Sequence, residues 1–173
     1  LMICMIMVLG SVAAGARGIE SIFSEKAQAA SVLDGKLLWP VPSSYTMSRA
    51  FSASGHKAID IHYCTGNDIV AAYDGTVSAY YNKCKHYSKS CKSCDSGGYG
   101  VGLIIKHTIN GTTYYTHYAH MVYDSIPQKF SKVGATVKQG EVIGKVGSSG
   151  YSEGPHLHFQ VTSAPTSSGA RAS

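Results

Sequence analysis

Two histidines one residue apart lie near the end of the chain, in the stretch GPHLHFQ. If this stretch is a β-strand, its side chains alternate between two faces, so His156 and His158 project together while Leu157 points into the core. Imidazole is a common metal ligand and also a proton carrier near neutral pH. The spacing therefore predicts one ring that binds a metal ion, beside a second ring that handles protons.

The stretch GHKAIDIH contains further residues that could bind the same ion. His56 and Asp60 are four residues apart, and in a straight strand their side chains would be separated by about 13 Å. The chain must therefore curl between them, and Gly55 permits such a bend. Two imidazoles and one carboxylate leave the fourth position of a zinc ion open for water, which is the usual catalytic arrangement. Mixed nitrogen and oxygen ligands also favour zinc over calcium or magnesium.

Another histidine, His120, lies in the stretch YAHM. With His156 it would flank a zinc-activated water molecule, as a general base or as a donor to the developing oxyanion. Zinc lowers the pKa of water towards about 7, so this group predicts hydrolysis of an amide. His62 lies two residues beyond Asp60 and is an alternative to it as ligand. We assign no catalytic role to the remaining histidines, which are His86, His107 and His117.

The elements that must position these side chains have the pattern of short strands joined by tight turns. Asn110-Gly111 separates two β-rich runs, LIIKHTI and TTYYTHYA, and is the strongest short-range signal for a hairpin. Hairpin turns are also expected at Asp74-Gly75 and at Gln139-Gly140, followed by a last strand over HLHFQVT. No long segment has a sustained helical period. The sequence therefore predicts an all-β domain with an antiparallel, sandwich-like core over residues 38–163.

Composition and charge limit the class of protein. The chain has 173 residues, of which 44% are apolar and 14% charged, values typical of one globular domain. Its net charge of +5 indicates an anionic polymer as partner, such as nucleic acid, a membrane surface or an acidic cell wall. No nucleic-acid-binding module is recognisable, so we predict no nucleic-acid partner.

The start of the chain has the character of an export signal. The first sixteen residues, LMICMIMVLGSVAAGA, carry no charge and end in small residues. A membrane-spanning helix needs about 20 apolar residues, and glycine and serine interrupt this run. We therefore predict a leader over residues 1–30 and a secreted protein without stable membrane insertion; the alternative is a buried helix.

The cysteines are consistent with export. Four remain after the leader, and in an oxidising compartment they would form two disulfides with three possible pairings: Cys64, Cys84, Cys91 and Cys94. A zinc site is the weaker alternative for the last two, because no second paired spacing is present. The segment 82–98 contains three of these cysteines and four lysines, and we expect a cross-linked, basic surface loop. Residues 164–173 are predicted to be a disordered tail.

The stretches GHKAID, YAHM and GPHLHFQ, in that order, resemble the lysostaphin-like (LytM-type) zinc metallopeptidases that cut peptidoglycan. The likeness includes LLWPVPSSYTMSRAF, GNDIVAAYDGTVSAYY, GYGVGLIIKH and VGATVKQGEVIGKVGSSGYSEGPHLHF, and it covers about residues 38–163. It implies the family's β-sheet core, the duplicated hybrid motif, with loops that wall a groove. The insert at 82–98 is a departure from the family, at a place where it could rim that groove.

The resemblance also implies a role for each of five residues: Zn²⁺ binding by His56, Asp60 and His158, and catalysis by His120 and His156. The implied function is a secreted cell-wall hydrolase that cleaves stem peptides or cross-bridges, with anionic wall polymers as further partners. Both glycine–glycine bridges and D-alanine linked to a diamino acid stay open as the bond that is cut. Some relatives have lost ligands, so a non-catalytic wall-binding or regulatory module is the alternative. All five positions are filled here, which favours an enzyme.

Overall fold

The structure, a computed structural model, describes residues 36–62, 64–85 and 95–165. Within these ranges the chain forms nine strands, one helical turn at Asp95–Gly98 and a 3-10 turn at Gln128–Phe130. The strands are β1 (Met47–Arg49), β2 (Ile59–His62), β3 (Asp68–Val70), β4 (Gly75–Tyr81), β5 (Val101–Ile109), β6 (Thr112–Met121), β7 (Thr136–Val137), β8 (Val142–Lys145) and β9 (His156–Thr162). No helix in the described ranges is long and apolar enough to cross a membrane.

The strands form two antiparallel sheets. Seven of them pair in the order β1-β2-β9-β6-β5-β4-β7, while β3 and β8 form a two-stranded sheet. Ile69 and Ile143 of the small sheet belong to the same buried cluster as Ile105, Tyr118 and Leu157 of the large one. The core therefore lies between the small sheet and one face of the large sheet. The prediction of an all-β, antiparallel fold is confirmed.

The last strand, β9, shows how the alternation of side chains separates core from site. Leu157 and Phe159 belong to the buried cluster, as the pattern predicts. The residues that alternate with them, His156 and His158, project to the other face of the sheet. Because β9 pairs with β2 on one side and β6 on the other, both histidines lie near the centre of the large sheet.

One predicted hairpin is confirmed and two are wrong. Asn110 and Gly111 have φ values of 49° and 77°, as a type I′ turn requires, and they join β5 to its partner β6. The turns at Asp74-Gly75 and Gln139-Gly140, in contrast, connect strands of different sheets. The carboxylate of Asp74 accepts a hydrogen bond of 2.7 Å from the backbone N–H of Gln139, so the two turns lie against each other where the chain crosses between sheets.

The insert is described only at its two ends. Lys83 and Lys85 are exposed, as expected for a basic surface segment, but Asp95–Gly98 is a helical turn where we expected a loop. Cys64 and Cys84 each take part in a disulfide bond. Cys91 and Cys94 lie outside the described residues, so the pairing among the four cysteines stays a prediction. The leader at 1–30 and most of the tail at 164–173 also lie outside them.

Acidification is expected to destabilise the fold through His117, which is buried and hydrogen-bonds Thr162 through Nε2 at 2.9 Å. Burial lowers the pKa of His117 to about 4, whereas an unfolded histidine titrates near 6.5. Between these values the unfolded chain binds a proton that the folded chain does not, so stability falls with pH from about 6.5 down to about 4. The expected loss is about 3 kcal/mol in the free energy of unfolding.

Urea unfolding with chelator present, at pH 7 and pH 4, measures this loss. His117→Gln retains a donor for Thr162 but cannot be protonated, so its stability should fall less than that of the unmodified chain. His62→Gln, at an exposed histidine, should retain the full loss. Equal losses in the unmodified chain and in His117→Gln would exclude His117 as the cause.

Candidate functional site

Three predicted metal ligands converge at one point. His56 Nε2 lies 3.2 Å from Asp60 Oδ1 and 3.3 Å from His158 Nδ1, and His158 Nδ1 lies 2.9 Å from Asp60 Oδ1. Ligand atoms bound at 2.0–2.1 Å to a tetrahedral zinc ion are about 3.3–3.4 Å apart. The three atoms therefore form a triangle of nearly the size that one such ion requires. We call these three residues the metal-site residues; they are the one such group in the described part of the chain.

Strand pairing and a turn bring the three together. Asp60 on β2 is the direct partner of His158 on β9, so their side chains share one face of the sheet. His56 precedes β2 and reaches them because the chain curls, as predicted: the Ser52 N–H donates to the His56 carbonyl at 2.8 Å. The bend does not depend on Gly55, because its φ is not positive and an added Cβ would meet Ser52 Oγ at an ordinary 3.5 Å.

The structure favours Asp60 over the alternative ligand His62. Asp60 contacts all three histidines around it, whereas His62 is exposed and not part of the converging group. Burial alone would raise the pKa of Asp60, but the hydrogen bond from His158 and the surrounding histidine charges outweigh burial and lower that pKa. The carboxylate is therefore ionised at neutral pH, which is the form that binds a cation.

A β-bulge places His120 beside this group. Between two paired positions β5 has only Gly102, whereas β6 has Ala119 and His120, so one residue of β6 is extra. His120 takes up this irregularity with a φ of 59°, the left-handed conformation that histidine adopts more readily than most residues. Its ring centroid lies 4.8 Å from that of His156 and 5.9 Å from that of His158.

Backbone carbonyls hold the rings of His120 and His156 in the same tautomer. His120 Nδ1 donates to the carbonyl of Ser149 at 2.7 Å, and His156 Nδ1 donates to that of Gly154 at 2.8 Å. Since a carbonyl can only accept, each ring keeps Nε2 for other chemistry. Burial lowers the pKa of His120 to about 3, so its ring is neutral at pH 7 and can accept a proton.

The five predicted residues line one open groove with a volume of about 910 Å³. The groove also contains side chains that we did not single out from the sequence: Arg49, Tyr99, Tyr151 and Glu153. The groove is only partly enclosed, and it brings the ionisable side chains of the five predicted residues to one surface. An extended chain can therefore lie beside the metal-site residues.

Tyr99, which the sequence analysis did not single out, contacts two of the site histidines. Its ring stacks on that of His120 at 6.4 Å and meets that of His158 edge-on at 5.2 Å, and its carbonyl accepts from the N–H of His120 at 2.9 Å. His158 Nε2, which is buried and has no hydrogen-bond partner among the described residues, belongs to the ring that Tyr99 meets edge-on. The sequence feature that could have indicated Tyr99 is its position as an aromatic residue between the insert and β5.

Residues 54–168 of the chain match the sequence model of the family described as Peptidase family M23. The DD-carboxypeptidase/endopeptidase Mpg of Neisseria meningitidis is 36% identical over 105 residues, which are 61% of this chain and 19% of that protein. The glycyl-glycine endopeptidase ALE-1 of Staphylococcus capitis is 43% identical over 112 residues, which are 63% of this chain and 25% of that protein.

A solved structure shares the fold. A zinc containing peptidase from Vibrio cholerae superposes with a TM-score of 0.56 and 25% sequence identity, over 75% of this chain and 37% of that one. The chain spans a quarter or less of the length of the two curated relatives above. These comparisons therefore concern one domain of longer proteins, and the domain matched includes all five predicted site residues.

Proposed function

Because this chain belongs to peptidase family M23, we propose that it is a secreted zinc endopeptidase that hydrolyses peptide bonds of peptidoglycan. The observation that carries the proposal is the convergence of three ligand atoms within 2.9–3.3 Å of one another, beside His120 and His156 in an open groove. Relatives named as a DD-carboxypeptidase/endopeptidase and a glycyl-glycine endopeptidase support the substrate class.

The metal-site residues would hold the ion through His56 Nε2, Asp60 Oδ1 and His158 Nδ1. Their donor set of two imidazoles and one carboxylate, and the spacing of the three atoms, fit zinc. A zinc ion at this site supplies Lewis acidity, which activates water at neutral pH and polarises the carbonyl group of a peptide bond.

The two remaining histidines divide the proton chemistry between them. His120 is neutral and presents Nε2, so it is placed to take a proton from the attacking water and to pass it to the leaving nitrogen. His156 has its Nε2 3.9 Å from Asp60 Oδ1, at the edge of the metal site, and in its imidazolium form, with Nε2 protonated as well as Nδ1, it would donate to the developing oxyanion. The two carbonyl acceptors fix both rings before substrate arrives.

Location and further partners also belong to the proposal. A leader over residues 1–30, of which the first sixteen carry no charge, supports export to the cell wall, where disulfides among the cysteines would persist. The net charge of +5 would attract the chain to anionic wall polymers. An open groove suits a cross-linked polymer, whose chains cannot be enclosed.

Removing the metal is expected to abolish the release of soluble fragments from purified peptidoglycan. EDTA should stop release, and one equivalent of zinc should restore it, because the remaining side chains cannot activate water at neutral pH. Chromatography and mass spectrometry of the products measure the release and identify the bond. Binding to peptidoglycan without any release by the zinc-loaded chain would instead support a non-catalytic wall-binding module.

A further inference from the structure

One fixed positive charge in the groove has no role in the chemistry above. Arg49 ends β1, is exposed and lines the groove. It is the strand partner of Asp60, and such partners have Cα atoms about 4.5–5.5 Å apart with side chains on one face.

The charges around Arg49 leave it available to an anion. Of the side chains that the structure describes in the groove, two others are charged, those of Asp60 and Glu153. Asp60 already contacts three histidines, and Glu153 already interacts with another group. In the described part of the chain no carboxylate lies within ion-pair distance of Arg49. A guanidinium in this position can bind a carboxylate through two parallel hydrogen bonds.

We propose that Arg49 binds a carboxylate of the substrate within about two residues of the bond that is cut. Arg49 lies one strand away from Asp60. Because an extended peptide advances about 3.3 Å per residue, the side chain of Arg49 reaches only the substrate residues nearest to the bond that is cut. The inference rests on the proposed function and narrows its substrate. It favours D-alanine linked to a diamino acid that has a carboxylate on the same carbon as the linked amine, over glycine–glycine bridges, whose backbone is neutral.

Two synthetic peptides test this, both with D-alanine linked to a diamino acid. One has a free carboxylate on the diamino acid, and the other has a carboxamide there. We expect the zinc-loaded chain to cleave the carboxylate peptide with a kcat/KM about ten- to a hundredfold higher, the range that a hydrogen bond between charged groups supplies. Arg49→Gln should reduce this preference to nearly one, and Arg49→Lys should retain part of it.

Lys132→Gln is the matched control, because it removes the same charge from an exposed residue that does not line the groove. It should keep the full preference. If Arg49→Gln shows the same preference as the unmodified chain while both peptides are cleaved, the inference fails and the proposed function stands. If neither peptide is cleaved but the chain releases fragments from purified peptidoglycan, the inference fails and the proposed function stands. If the chain does neither, the proposed function fails, and calorimetry of the same two peptides decides the inference. Tighter binding of the carboxylate peptide that disappears in Arg49→Gln supports it, and unchanged binding overturns it.

Discussion

Replacing His158 by alanine is expected to abolish stoichiometric zinc binding and to lower kcat/KM more than about 10³-fold. His158 Nδ1 is one corner of the triangle of ligand atoms, and its hydrogen bond of 2.9 Å also orients the Asp60 carboxylate. Loss of one oxyanion donor already costs about 10²–10³ in kcat, and loss of the metal removes the activation of water as well. Zinc content after dialysis and kcat/KM on a peptidoglycan peptide are the measurements.

The control for this loss is His62→Ala. His62 lies on the same strand as Asp60, but it is exposed and outside the converging group, so its variant should retain one zinc ion per chain. The stronger test removes two ligands at once. Stoichiometric zinc in the double variant His56→Ala, Asp60→Ala would show that the ion binds elsewhere, and the ligand assignment would be wrong.

The parts of the site that follow from local geometry were predictable from the sequence. Side chains alternate along any strand, so His156 and His158 had to share a face opposite Leu157. The requirement for a curl between His56 and Asp60 followed from the length of an extended chain. The order of the three histidine motifs added the family resemblance. These inferences needed no knowledge of which strands are neighbours.

The parts that depend on distant pairing were not predictable. The turn at Asp74-Gly75 has the composition of a hairpin turn, yet the strands on its two sides belong to different sheets. A turn signal describes the local backbone and contains no information about the partner of each strand. The same limit applies to His120, because the bulge that turns its ring exists only in the register of β6 against β5. Tyr99 and Arg49 reach the groove by the same kind of non-local pairing.

Replacing His120 is expected to leave zinc bound and to lower kcat about 10²–10⁴-fold, the usual contribution of a general base. Its Nδ1 is held by the Ser149 carbonyl and its ring is neutral, so the variant loses the proton acceptor but none of the three ligand atoms. Zinc content and kcat, measured on the same preparation, separate the two effects. Loss of zinc together with activity would mean that His120 belongs with the ligands.

The choice of replacement decides how clearly this result can be interpreted. Because His120 has a φ of 59°, alanine would be strained there by about 1–2 kcal/mol, whereas asparagine tolerates the left-handed conformation. His120→Ala could therefore lose activity through a shift of the bulge, but His120→Asn retains the backbone and lacks only the imidazole. We expect both variants to be slow and only the alanine variant to be less stable. If kcat of His120→Asn is near normal, activity depends on the backbone bulge at this position and not on the imidazole of His120. His156 would then be the general base.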